Sequence, residues 1–240
     1  MLRSLDQASS IVAFDGDDTM WLCSPAQKSW EHACERQGIE RLLNPPLEAA
    51  FRRHINGAGY SEDTIMRALF ASAADLGGMS ADWTRRAEKV PNLLRELKLE
   101  LASGLELALQ TVRDAGHRLW IITKGDLLRQ AMKLAAFPLD TAFENIEIVQ
   151  RKNVATYARV LAAQGCHPST LTMIGDRFFE DIAPPIWLGA RAIHVSRGRT
   201  AVARSFERLL PTRRIEGCCS LAEIPDSIPF RPRYKSTEDA

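Results

Sequence analysis

Asp15 and Asp17 stand two residues apart, directly after the apolar run Ile11-Val12-Ala13-Phe14 and with Gly16 between them. A carboxylate can attack an electrophile or carry a proton, and two this close can do both to one substrate if the chain bends after Phe14. Gly16 supplies the freedom for that bend. An EF-hand calcium loop also opens Asp-x-Asp, but it needs Gly at its sixth position and Glu at its twelfth. This chain has Met20 and Ala26 there, which excludes that reading. A strand that simply exits into a turn with solvated acids stays compatible with these residues taken alone, since Asp and Gly both form turns.

The other polar residues of interest share one position in the pattern. Thr123 and Lys124 follow the strand pattern from Arg118 to Ile122, Lys152 comes shortly after Ile146 to Val149, and Asp176 follows Leu171 to Ile174 and Gly175, with Asp181 five residues on. Each alone has a plain structural explanation: Thr123 as a strand-end residue capping a helix, Lys152 as a solvated cation, Asp176 as an N-cap and Asp181 as an acid in a first helical turn. Asp18 reads as such a turn or capping residue. If the apolar runs are parallel strands, however, their C-terminal ends share one edge, and residues spread over some 160 positions converge on one crevice. Acids with a lysine and a hydroxyl suit a phosphate group. The carboxylates hold a hard cation such as Mg²⁺ through oxygen, and the cation and the ammonium offset the phosphoryl charge. Without a cation, Asp15, Asp17, Asp176 and Asp181 resist ionising together.

The elements needed to position these residues are legible in outline. Ile11 to Phe14 is a buried strand. Four helices then follow with no strand pattern among them, at about 25–37, 46–56, 62–76 and 81–98, punctuated by Ser24-Pro25, Gly38, Asn56-Gly57-Ala58-Gly59-Tyr60, Ser61 and Gly77-Gly78. From Gly104 helix and strand alternate: a helix over 105–115, a strand over 118–122, a helix to about 137, a strand over 146–149, a helix over 154–164, a strand over 171–174, a partly helical stretch over 178–188 broken by Pro184-Pro185, and a strand over 191–195. This predicts an α/β fold, a Rossmann-like, mainly parallel sheet flanked by helices with an inserted all-helical subdomain. The expected division is a core of 1–21 and 100–228, a helical insertion of 22–99, and a loose tail of 229–240.

Composition narrows the function classes. The 240 residues are 45% hydrophobic with a net charge of +1, so nucleic acid is not an expected partner, and Arg204, Arg208, Arg213, Arg214, Arg231 and Arg233 read as solvated surface. Five cysteines (Cys23, Cys34, Cys166, Cys218, Cys219) without paired spacing indicate neither a disulfide framework nor a zinc site. No stretch approaches the roughly 20 apolar residues of a membrane span, and no leader pattern opens the chain. The expectation is a soluble, cytoplasmic protein with no membrane partner. Nothing in the composition sets an oligomeric state.

The ordered set resembles the haloacid dehalogenase superfamily, in its phosphatase branch. Asp15-Gly16-Asp17-Asp18-Thr19 is similar to that family's first motif, Thr123-Lys124-Gly125 to its second, Lys152 to its third, and Gly175-Asp176 with Asp181 to its fourth. The match covers about residues 8–196, and the helical block resembles the family's cap inserted between the first two motifs. The resemblance implies that Asp15 is the nucleophile forming an aspartyl-phosphate and that Asp17 is the general acid and base. It implies that Thr123, Lys124 and Lys152 hold the phosphoryl group, and that Asp15, the Asp17 carbonyl, Asp176 and Asp181 hold Mg²⁺. Arg177 stands where the family usually has a small residue, and no proline follows Lys152. The expected substrate is a small-molecule phosphate ester. The motifs also fit a phosphomutase or other phosphotransferase, or a non-catalytic phosphate-binding regulator, whereas the dehalogenase branch lacks the second aspartate. The loop Asn56, Gly57, Gly59 and Tyr60 is the candidate for substrate selection, because its glycines let backbone approach a ligand.

Overall fold

A computed structural model of the chain describes residues 10–137, 143–196, 215–218 and 220–224. The expected loose tail, Arg204, Arg208, Arg213, Arg214, Arg231, Arg233 and Cys219 lie outside these residues.

Eight strands and nine α-helices are present among the described residues. The strands are β1 (Ile11–Phe14), β2 (Trp21–Leu22), β3 (Glu100–Leu101), β4 (Arg118–Lys124), β5 (Asn145–Val149), β6 (Leu171–Gly175), β7 (Arg191–Val195) and β8 (Ile215–Cys218). The helices are α1 (Pro25–Arg36), α2 (Pro45–Ile55), α3 (Glu62–Asp75), α4 (Ala81–Ala87), α5 (Val90–Glu96), α6 (Leu105–Asp114), α7 (Leu127–Ala136), α8 (Val154–Ala163) and α9 (Ala183–Trp187). Six strands form one parallel sheet in the order β5-β4-β1-β6-β7-β8. β1 is central, pairing Ile11 with Arg118 and Leu171, and Phe14 with Ile121 and Ile174. All four of its residues are buried, as a parallel strand covered on both faces requires.

The chain divides into two compact units, and the division falls within β4, after Ile121. The first takes in Met1–Met20, Ala102–Ile121 and Lys152–Ala240. Here α6 buries Leu105, Ala108, Leu109 and Val112, the i, i+3, i+4, i+7 stripe of an amphipathic helix. The second takes in Trp21–Leu101 and Ile122–Arg151, so α7 and β5 group with α1 to α5. Its core uses Phe51, Leu47, Ile65 and Leu69, all essentially inaccessible. Two buried indoles of this unit are satisfied, Trp30 donating to the Leu93 carbonyl at 2.7 Å and Trp83 to that of Leu42 at 2.9 Å. Ser24 caps α1 and Ser61 caps α3, each accepting a backbone N–H three residues on.

Three features depart from the sequence expectation. The helix expected over 81–98 is two helices, α4 and α5, because Pro91 enters at the start of a second helix and its missing N–H ends the first ladder. The helical block is bracketed by a short antiparallel pair, β2 with β3, matching Trp21 to Leu101 and Leu22 to Glu100. β8 extends the sheet past β7.

Candidate active site

The chemistry of the first unit is built on the end of β1. The Asp15 N–H donates to the Ile174 carbonyl at 2.9 Å, carrying the β1–β6 pairing one residue further and fixing the direction of the Asp15 side chain. The chain then turns sharply, with the N–H groups of Thr19 and Met20 both reaching the Gly16 carbonyl. Asp18 takes the left-handed conformation in that turn, φ 59°, which Asp tolerates better than most residues. Asp17, on the same turn, is half-buried.

Lys152 joins the first and fourth motifs. Its buried ammonium donates to Asp15 Oδ1 at 2.5 Å and to Asp181 Oδ1 at 2.6 Å. Carboxylate oxygens of Asp15, Asp176 and Asp181 all lie within 4.8 Å of one another. One ammonium therefore faces three acids. Burial, then the Asp181 charge, pushes Asp15 up to about 7 although Lys152 pulls it down. Burial, then Asp15, pushes Asp176 up to about 6, and burial raises Asp181 too. Burial alone would lower Lys152, but Asp15 and Asp181 hold it above its ordinary value. The Oδ1 of Asp176 is buried with no hydrogen-bond partner among the described residues. An all-oxygen donor set, mutual repulsion and an orphaned carboxylate oxygen together fit a hard divalent cation.

The return of the chain from Asp176 to Asp181 is a single π-helical turn, Phe178–Ile182. Such turns insert one residue into a helix and recur at functional sites. The Arg177 N–H donates to Asp181 Oδ2 at 3.0 Å, and Nε2 of the buried His194, on β7, donates to the Asp176 carbonyl at 3.0 Å. Gly175 permits the arrangement, since a Cβ there would lie 2.4 Å from both Cβ and Cγ of Asp181. Gly175→Ala should therefore displace Asp181, destabilising the protein by about 1–3 kcal/mol and cutting turnover more than ten-fold. Chemical denaturation and initial rates check this, and wild-type values in both would show that Asp181 need not sit where it does.

The second motif lies in the second unit, where Thr123 and Lys124 are the last two residues of β4 rather than the first residues beyond it, as the sequence suggests. Thr123 is fully buried, and its hydroxyl oxygen has no hydrogen-bond partner among the described residues. Lys124 is half-buried. The backbone beyond is held by Gly125 N–H to the Val149 carbonyl at 3.0 Å, by Gln130 Nε2 to the Lys124 carbonyl at 3.3 Å, and by Asp126 capping α7 through the Arg129 N–H at 2.9 Å. Gln130 and His194 carry no signal in the sequence, where nothing separates them from other helix and strand residues.

Asn56, Gly57, Gly59 and Tyr60 line a cavity of about 300 Å³ together with Asn145 and Ile146. Asn145 opens β5, whereas Val149, which meets Gly125, closes it. Within the second unit, then, this loop faces the start of β5 and the Thr123 motif adjoins its end. Burial pushes the Tyr60 phenol up to about 12.

The profile of the haloacid dehalogenase-like hydrolase family matches residues 24–193, which contain Thr123, Lys152, Asp176 and Asp181, while Asp15 and Asp17 precede it. The glyceraldehyde 3-phosphate phosphatase of Methanothermobacter thermautotrophicus is 25% identical over 205 residues, 80% of this chain and 88% of that one. Among solved structures, a haloacid dehalogenase-like hydrolase from Xanthomonas campestris is 25% identical, with a TM-score of 0.56 over 92% of this chain and 95% of that one. The 2-haloacid dehalogenase of Pseudomonas syringae, at 20% identity, shares the fold with a TM-score of 0.54 over 91% of this chain and 97% of that one. The family profile spans well over half of the 240 residues, and the chain belongs to the haloacid dehalogenase-like hydrolase family.

Proposed function

We propose that this hydrolase is a Mg²⁺-dependent phosphomonoesterase that transfers the phosphoryl group of a small phosphorylated metabolite to Asp15 and then to water. The observation that carries the reading is the meeting of Asp15, Asp176 and Asp181 around one buried lysine, an arrangement short of positive charge. The match to a phosphatase that acts on a three-carbon sugar phosphate supports a phosphate ester as substrate.

In this mechanism an Asp15 oxygen attacks phosphorus and the ester P–O bond breaks, leaving an aspartyl-phosphate and an alkoxide that takes a proton from Asp17. Asp17, now a base, accepts a proton from water as the water oxygen attacks phosphorus, and the Asp15–phosphorus bond breaks to release phosphate. Thr123, Lys124 and Lys152 hold the phosphoryl oxygens, the Thr123 hydroxyl having an unmet donor to offer. Asp15, the Asp17 carbonyl, Asp176 and Asp181 would hold Mg²⁺, which when bound supplies charge stabilisation to the phosphoryl oxygens. The helices between β2 and β3 serve as the cap subdomain, residues 22–99, with the core at 1–21 and 100–228. The loop of Asn56, Gly57, Gly59 and Tyr60 is assigned to substrate selection through the cavity it lines with Asn145 and Ile146, at the other end of β5 from the Thr123 motif, where it would meet a part of the substrate remote from phosphorus. No helix of the described residues is long and apolar enough to cross a membrane, in keeping with a cytoplasmic enzyme of a soluble metabolite.

Release of phosphate from an aryl phosphate with Mg²⁺, and none after thorough chelation, is the expected result. Activity untouched by chelation would return the acidic cluster to a structural role. Asp176→Ala should weaken Mg²⁺ binding and turnover together, Asp181→Ala less so. Because Asp15 lies near 7 and Asp176 near 6, protons compete with the cation, so affinity rises as pH rises through that range. Calorimetric titration at pH 5.5 and 7.5 should differ by about ten-fold or more in Kd, the tighter binding being at the higher pH. Equal affinities would contradict ligation by these carboxylates.

A further inference from the structure

We propose that Tyr157 is a positioning residue that sets the Asp176–Asp181 turn for Mg²⁺ by supplying a hydrogen bond the chain itself cannot make. The inference rests on the metal reading above, but it concerns a residue outside the four motifs.

Two prolines, Pro184 and Pro185, follow the π turn. In a helical run the Glu180 carbonyl accepts the N–H of residue 184 in α register or of residue 185 in π register, and both are proline, which has no N–H. The N–H of Ala183 is already committed, donating to the Phe178 carbonyl across the π turn. Neither helical register therefore offers the Glu180 carbonyl an N–H, and a donor for it has to come from another element. Tyr157, fully buried on α8, donates its hydroxyl to that carbonyl at 3.0 Å. The same helix begins with the Asn153 cap directly after Lys152, and the Tyr157 N–H closes the first turn on the Asn153 carbonyl at 3.1 Å. The first turn of α8 and the residue just before its cap therefore carry both grips on the π turn: Lys152 on the Asp181 carboxylate and Tyr157 on the adjacent carbonyl. Lys152 supplies charge, whereas Tyr157 fixes backbone. Asp181 depends on that backbone because its own N–H is bonded to the Arg177 carbonyl and its Oδ2 to the Arg177 N–H, so any shift of the turn moves the carboxylate.

The test is Mg²⁺ binding by calorimetry on the full chain without substrate, with thermal melting alongside. Tyr157→Phe removes only the hydroxyl and keeps the ring, and it should raise the Mg²⁺ Kd about ten-fold, the lower end of what loss of a supporting hydrogen bond does at metal sites. Pro184→Ala restores an N–H four residues after Glu180. Alone it should bind Mg²⁺ as the unaltered protein does, and combined with Tyr157→Phe it should recover most of the lost affinity. A Tyr157→Phe protein that binds Mg²⁺ as tightly as the unaltered one, whatever its melting temperature, overturns the proposal, and so does a double variant that shows no recovery. If the unaltered protein binds no Mg²⁺, the metal reading itself has failed, an outcome distinct from either of these.

Discussion

Asp15→Asn should lower turnover of a phosphate monoester by more than about 10⁴-fold while the protein melts at or above its usual temperature. The amide keeps the shape of the carboxylate but is a poor nucleophile, so the loss falls on the chemical step. Stability should hold because the Asp15 charge is disfavoured where it sits: burial and the neighbouring Asp181 push it up to about 7. Removing one of three acids relieves repulsion, and Lys152 keeps its 2.6 Å contact with Asp181. Circular dichroism melts and initial rates on the same preparation separate the two effects. Activity close to that of the unaltered protein would sink the covalent mechanism.

The second large effect is expected from Asp17→Asn, on the order of 10²–10⁴-fold, the usual share of general acid–base catalysis. Its size should depend on the substrate. An aryl phosphate with a good leaving group needs little proton donation, so the first step should survive and the second, which needs a base to activate water, should stall. A burst of phenol close to one equivalent per protein, followed by slow release, is the expected time course. An alkyl phosphate, whose leaving group needs the proton, should show no burst. If Asp17→Asn proved silent on both substrates, another acid would have to be found.

The parts of the molecule that were legible in the sequence are those whose signal is local. β1 reads as a strand because all four residues are apolar, and the structure buries all four; α1 and α3 read from serine caps whose hydrogen bonds the structure contains. The alternation after Gly104 gave the parallel sheet, and with it the shared edge to which Asp15 and Asp176 come through their paired strands. What escaped was non-local or too short to carry a pattern. β2 and β3 have two residues each and exist only because they pair with one another. α4 and α5 merged in the sequence because the apolar spacing continues through Lys89 and proline is tolerated in a first helical turn. The contact of Lys152 with both Asp15 and Asp181 depends on a π turn, and no residue type announces one, although Pro184-Pro185 marked the helix as interrupted there. Tyr157 looks like an apolar position on α8 and becomes noticeable only once its hydroxyl is seen on the Glu180 carbonyl. Likewise, the Asn56–Tyr60 loop announced its glycines but not that it would face the start of β5.

In the proposed cycle phosphorus becomes bonded to Asp15. The Asp17→Asn protein, mixed with an aryl phosphate and Mg²⁺ and quenched in acid during the slow phase, should carry one phosphoryl group, and mass spectrometry of its fragments should place that group on Asp15. Phenol released in a full burst with no phosphorylated fragment, or with the group on any other residue, would contradict the account.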